Sequence, residues 1–418
     1  MNIRFILSCL SVFMMMSGSA GADEKIIIIG VSGTYSGGFA AVGKNVGDGM
    51  TDYFSYLADH GGIAYTDPVS GKNEKMPIRI YIEDNHYNTT RAVTAYRDLK
   101  AKGANVIIGF GSTPGEVCAA LASKDRLPYL AWYSYASPIA YWPRPQYYWS
   151  FLPSIAESAT PMIKWFVTKK WQGERKARIG ILAADLPSWR VLGKPGIMDG
   201  YIRSQGGESA GIEFVPLETG DMSAPLAKLL LHKKADCLVF IGASSQTAVL
   251  AKDLKQMGTD PEKTTVVCSL SAWDESLFSS VPLEIEGLYG EVHAVSPDTD
   301  TPGMRMVKAA AKAAGRDPEK IVMNYINGFM GAFVLETAIR RALEKHGYET
   351  TVRSGKVIRD ELHSFGSADP MGLAPSIAVR HTDHAYFINY ARIVRAGNGR
   401  FEDAGDWIPI DRISGSLE

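Results

Sequence analysis

The chain has 418 residues, with 44 lysines and arginines against 45 aspartates and glutamates and a net charge of −1. That balance supplies no basic field for a nucleic acid or an anionic membrane, so neither is expected as a partner and recognition falls to shape and local chemistry. The length is ample for two domains. In chain order, Asn2 and Arg4 precede an apolar run from Phe5 to Met16, followed by Ser17, Gly18, Ser19 and Ala20-Gly-Ala22. This layout is that of a cleavable signal peptide over residues 1–22, which leaves Asp23 as the mature terminus of a secreted chain. The run is about a dozen residues, short of the roughly 20 that cross a bilayer as a helix. A lipidated Cys9 is the alternative, but too little apolar sequence precedes it.

Next comes Ile26-Ile-Ile-Ile29, a continuous apolar run that suits a strand buried on both faces of a parallel sheet. The loop Gly33 to Gly38 follows, then Val42, Val46, Met50, Phe54 and Leu57 at helical spacing. The unit recurs with Ile78 to Ile82 before a helix around Ala92 to Leu99, with Val106 to Ile108 before Glu116 to Leu121, and with Tyr129 to Trp132. The insertion Tyr65 to Pro77 reads as a surface loop. A second series runs from Phe151, with strands at Ile179 to Leu182, Phe214-Val215, Leu238 to Ile241 and Val266-Val267 between helices. Two such alternations predict an α/β fold of two doubly wound parallel-sheet lobes. Leu288 to Val295 then reads as an extended crossing segment, two helices follow (Met304 to Ala313 and Ile321 to Leu343), and Tyr386 to Val394 is a final strand. Lobe 1 is expected over 23–148 and 284–378, and lobe 2 over 149–283 and 379–418.

The strongest local signal is Gly109-Phe-Gly-Ser-Thr-Pro-Gly-Glu116, directly after a strand. Thr113 as N-cap, Pro114 at the first helical position and Glu116 three residues on form a capping box. A helix start at the carboxyl end of a parallel strand favours an anion such as a carboxylate, although Ser112 and Thr113 capping only their own helix is an equal reading. Trp132-Tyr-Ser-Tyr-Ala-Ser-Pro138 leaves the next strand on the same edge, as a stacking wall or as core. In the second lobe, Asp185 to Trp189 and Gly242 to Ser245 hold the corresponding loops.

Catalytic templates fail. Gly30 to Gly38 lacks the nucleophile-elbow spacing, and Pro114 stands where the dinucleotide fingerprint needs its third glycine. Asp84 and His86 read as an acid/base pair or as a surface turn. His381 and His384, three apart near a loop, are the only metal hint, and neither metal nor cofactor is expected. Once Cys9 is removed, Cys118, Cys237 and Cys268 remain. Cys237 and Cys268 sit in apolar runs as buried core residues do, with a disulfide between them as the alternative.

Taken together, the leader, Gly30-Val-Ser-Gly-Thr-Tyr-Ser-Gly-Gly-Phe-Ala-Ala-Val-Gly43, Gly61-Gly-Ile63, Asp84 followed by Ala92, Ile108 to Thr113 and Ser134 to Pro138 resemble the branched-chain amino acid family of periplasmic binding proteins. The resemblance covers nearly all of the mature chain. It implies the type I architecture, with a three-strand hinge between the lobes, and a non-enzymatic periplasmic role as the solute receptor of an ABC importer. Ligand and permease subunits are then the implied partners of a monomer; a sensory receptor of the same fold is the alternative. By the same resemblance Ser112 and Thr113 hold a ligand carboxylate, Ser134, Tyr135 and Ala136 complete the grip, and Trp189, Ala243 and Ser244 close from the other lobe. Tyr35 and Trp132 join the aromatic lining. Two departures stand out: Ala136 replaces the usual hydroxyl residue, and Leu270 stands where classical amino acid receptors place an acid for the ligand ammonium. Burying an ammonium without such a partner costs several kcal/mol. The expected ligand is therefore an aromatic or other organic acid or a small amide, unless Asp274 or Glu291 supplies the charge.

Overall fold

The isoleucine run is an interior strand of the first sheet. The computed structural model describes residues 25–133, 147–379 and 386–413. Its first part contains β1 (Ile27–Gly33), β2 (Ile63–Thr66), β3 (Asn73–Met76), β4 (Ile78–Asp84), β5 (Val106–Gly109), β6 (Tyr129–Ala131) and β7 (Tyr148–Ser150). Five of these form a wholly parallel sheet in the order β4-β1-β5-β6-β7. Ile29 lies between Ile80 and Val106, so its side chain is sealed by a strand on either side and a helix layer above. This is why the run needs no polar alternation.

The second part contributes β8 (Arg178–Ala184), β9 (Glu208–Val215), β10 (Cys237–Ile241), β11 (Thr265–Cys268) and β12 (Tyr289–Val292), parallel in the order β9-β8-β10-β11-β12. After the small pair β13 (Ser367–Ala368) and β14 (Ile377–Ala378), the chain adds β15 (Tyr390–Gly397), β16 (Arg400–Asp403) and β17 (Ile408–Pro409) to this sheet in antiparallel fashion. The architecture is the two-sheet α/β arrangement expected from the alternation of elements.

The chain passes between the sheets three times: after β7, after β12 and between β14 and β15. The passages are stitched together, since the Phe151 carbonyl accepts from the amides of Phe387 (3.0 Å) and Ile388 (3.1 Å), and Val295 donates to Leu373 (2.9 Å). Between the second and third passages the helices Pro302–Ala313 and Met323–Arg353 return to the first sheet's side. The long helix packs on the helix Ala40–Asp59 so closely that a Cβ on Gly49 would lie 2.1 Å from the Tyr325 carbonyl, and one on Gly328 2.1 Å from that of Val46. Glycine at both faces is what permits this approach. The contact is pinned by Asp52, nearly fully buried, which accepts from Arg316 Nε (2.5 Å) and Tyr325 Oη (2.8 Å).

Several local expectations are corrected. Residues 65–77 are no plain loop but hold most of the hairpin β2–β3, in which Tyr65 faces the core and Val69 stands exposed at the tip. The helix after β5 starts at Ser112, not after Thr113, and Gly111 precedes it with φ of 100°; no side chain caps it, so the Thr113 capping box is not formed. Gly111 is required twice over, by its left-handed backbone and by the Tyr87 ring, 3.1 Å from where a Cβ would stand. Cys237 and Cys268 are buried free thiols on adjacent strands rather than a disulfide. The strand Tyr289–Val292, grouped by the sequence with the first lobe, hydrogen-bonds in the second sheet. The expected leader (residues 1–22, with Cys9), Ser134, Tyr135, Ala136, and His381 with His384 lie outside the described residues.

Candidate functional site

Because β1 and β4–β7 of the first sheet and β8–β12 of the second run parallel, every helix-connecting loop at one edge leaves a strand's carboxyl end, and those loops of the two sheets meet. On the first sheet the loops after β1, β4 and β5 are laced by Asn85, which is wholly buried. Its Oδ1 accepts from Thr34 Oγ1 (2.5 Å) and the Tyr87 amide (2.9 Å), and its Nδ2 donates to the Phe110 carbonyl (3.1 Å). Asn85 thereby fixes the position of Tyr87, whose hydroxyl lies 3.1 Å from Ser112 Oγ. Burial holds the Tyr87 phenol protonated far above its ordinary range, so it meets Ser112 as a neutral hydroxyl.

Aromatic rings carry the contact across. Phe39, at the end of the loop after β1, lies 4.4 Å from Tyr87 and 6.5 Å from Trp189, centroid to centroid. Trp189 belongs to the loop after β8 and is fully buried. Beside it, a Cβ on Gly38 would stand 3.1 Å from Leu217 of the loop after β9. The structure thus brings Ser112 and Trp189 into one assembly through Phe39 and Tyr87, two residues the sequence did not single out as site residues. Phe39 was readable only as a member of a glycine-rich opening segment, and Tyr87 as a loop residue.

The other expected residues are distributed differently. Trp132 is buried and stacks on Phe110 at 5.1 Å, as the back wall of this group, and Thr113 is half-buried one residue past Ser112. Ser244 opens the helix Ser244–Gln256 and Leu270 opens a short turn after β11; Thr247 Oγ1 ties the two loops by donating to the Ala272 carbonyl (2.6 Å). Tyr35 points away. Its ring lies in the slot left by Gly33 and Gly47, and burial pushes its phenol up to about 12.

The Asp84–His86 pair is a turn rather than an acid/base device. Asp84 accepts from the amides of Tyr35 (3.0 Å) and His86 (2.9 Å) and from Ser36 Oγ (2.9 Å). Burial opposes its ionisation, yet these bonds hold the carboxyl below its ordinary range. His86 meets Ser36 through Nδ1 and, through Nε2, both Arg91 (2.5 Å) and Asp84 Oδ2 (3.5 Å); because Asp84 already holds the Ser36 hydroxyl directly, the three groups close a ring that ties the turn together. Among the described residues no cluster of histidine, cysteine and carboxylate side chains fits a metal ion, and no helix is long and apolar enough to cross a membrane.

Buried polar groups also gather where the second sheet's edge reaches the long helix. Asp274, almost fully buried, bonds the Ser276 amide through Oδ1 (2.9 Å), and Glu275 Oε2 accepts from the Met323 amide (2.9 Å). Burial pushes the Glu275 carboxyl up to about 7. Glu291 and His293 pair at 2.9 Å within the second sheet's last parallel strand and the turn after it.

Comparison with known structures places the same architecture in several receptors. A branched-chain amino acid ABC transporter structure from Thermus thermophilus with bound valine matches with a TM-score of 0.77 at 17% identity, covering 94% of this chain and 98% of that one. A solute-binding protein from Rhodopseudomonas palustris BisB5 in complex with 3,4-dihydroxybenzoic acid matches at 0.70 and 19%, covering 94% and 99%. A fatty acid ABC transporter substrate-binding protein from Thermomonospora curvata matches at 0.72 and 17%, covering 95% of each. No curated protein matches the sequence. The model of the periplasmic binding protein family matches residues 26–400, and with two parallel sheets meeting at their strand ends the chain belongs to that family.

Proposed function

We propose that this chain is the solute-binding protein of an ABC importer, secreted through a signal peptide over 1–22 and acting as a monomer in the periplasm. It takes a small organic acid, amide or amino acid-like solute between the lobe built on the first sheet and the lobe built on the second, which includes Tyr289–Val292, and presents the closed form to permease subunits. The observation that carries this reading is the Phe39 ring, which meets Tyr87 of one sheet's edge and Trp189 of the other. A group seated beside it touches both lobes, and a ligand that contacts both is bound more tightly in the closed state, which is all that closure requires. Leu270, apolar and buried, supports a ligand other than a standard α-amino acid.

The test is calorimetric titration of aromatic acids, amides and amino acids, followed by the double variant Thr113→Ala with Ser134→Ala. Binding weakens by more than tenfold if these strand-end loops grip the ligand. Unchanged affinity removes them from the site.

A further inference from the structure

Asn324 and Asn327 lie in the first turns of the helix Met323–Arg353, and both side chains are fully buried. Neither amide atom of Asn324 has a hydrogen-bond partner; Asn327 donates Nδ2 to the Met323 carbonyl (3.1 Å) while its Oδ1 has none. Buried amides in proteins are almost always satisfied, and exceptions mark places where something else supplies the bond.

Their location follows from the helix register. Residues 324, 327 and 331 share one stripe of the helix at spacings of three and four. A Cβ on Gly331 would stand 3.7 Å from both Ile108, the penultimate residue of β5, and Phe151, just past β7. The helix runs antiparallel to these strands: Tyr348 Oη meets the Ile26 amide (3.1 Å) and the Val352 carbonyl meets Asn105 (3.4 Å), both at the strands' amino ends. At about 1.5 Å per residue, Asn327 stands roughly 6 Å and Asn324 roughly 10 Å further toward the carboxyl edge than Gly331. That carries both residues past the carboxyl edge of the first sheet, to the end of the helix that Glu275 of the second sheet's edge reaches by bonding the Met323 amide.

We infer that Asn324 and Asn327 form the floor of the ligand site and select a solute whose head group donates hydrogen bonds: a primary amide, a hydroxyl or an amine. This rests on the receptor reading above. The two side-chain oxygens need donors and the Asn324 nitrogen needs an acceptor. A lone carboxylate has no proton to give and leaves both oxygens unmatched, whereas a hydroxyl supplies one donor, an amine-bearing head two or more, and a primary amide two donors with an acceptor for the Asn324 nitrogen.

The test uses the whole mature chain and matched probes: benzamide, 4-hydroxybenzoate and leucine as donor-bearing heads, benzoate and 4-methylpentanoate as heads without one. Wild type binds at least one donor-bearing probe tenfold or more tightly than its matched acid. Asn324→Leu erases that preference and weakens the favoured probe at least tenfold, while the melting temperature of the ligand-free protein holds or rises, because two unmatched buried atoms are gone. A structural amide gives the opposite pattern: Asn324→Leu melts several degrees lower and keeps the probe preference, which overturns the inference. Asn324→Ala, smaller and free of overpacking, is read the same way, and failure of both variants to fold also assigns the pair to structure and overturns it. Should wild type bind none of the probes and carry no small molecule by native mass spectrometry, the receptor reading itself is what fails.

Discussion

Replacing Glu336 by glutamine isolates the cost of one buried acid. Glu336 sits inside the long helix at 8% exposure, with Tyr53 Oη and Arg340 Nε each about 3.5 Å away. Burial outweighs both partners and raises its carboxyl from 4.5 to about 7. A folded-state value above the unfolded one means that the native protein holds the proton more tightly. The resulting stability is fully present below pH 4.5 and is lost as the pH climbs to 7. At about 1.4 kcal/mol for each tenfold in proton affinity, that rise costs the folded state about 3 kcal/mol at pH 8, as an upper bound. Glutamine mimics the neutral acid, so Glu336→Gln melts with the wild type at pH 4 and a few degrees above it at pH 8. Glu157 and Glu275 are raised to about 7 by burial in the same way, so the variant retains part of the wild-type slope. Urea titrations at pH 4, 6 and 8 read the difference directly. A variant less stable than wild type at pH 8 refutes the argument, because it means that the ion pair with Arg340 outweighs desolvation.

Two further outcomes follow from packing. Phe39→Ala removes the ring between Tyr87 and Trp189; with aromatic pairs worth about 0.5–1.5 kcal/mol each, ligand affinity in a calorimetric titration falls about tenfold or more while the melting temperature drops little. Gly49→Ala adds a good helix former, worth about 1 kcal/mol by propensity alone, but sets its Cβ 2.1 Å from a backbone carbonyl; chemical denaturation shows a net loss above 1 kcal/mol, and a gain means that the two helices separate freely.

How far the sequence carried the structure depends on what each residue's neighbours demand. Strands sealed on both faces must be apolar throughout, so Ile26 to Ile29, Val106 to Ile108 and Leu238 to Ile241 announced their sheets without any alternation. The loops at the carboxyl ends were legible for the same reason, since their place follows from strand order alone. Which side chain in a loop faces the gap was not. Tyr35 and Phe39 are four residues apart and equally aromatic, yet Tyr35 is drawn into a slot made by Gly33 and by Gly47, about two turns into the helix that follows, while Phe39 is left to reach Tyr87 and Trp189. The Gly47 half of that slot exists only after the helix has packed against β1. Asn324 and Asn327 escape a sequence reading more completely. In an apolar helix an asparagine looks like any interior polar residue, and only the register of Gly331 against Ile108 carries these two beyond the sheet. A binding surface shared between lobes is therefore written in long-range register rather than in local motif. The residues that recognise a solute need not lie in the loops whose glycines, prolines and hydroxyls advertise a site.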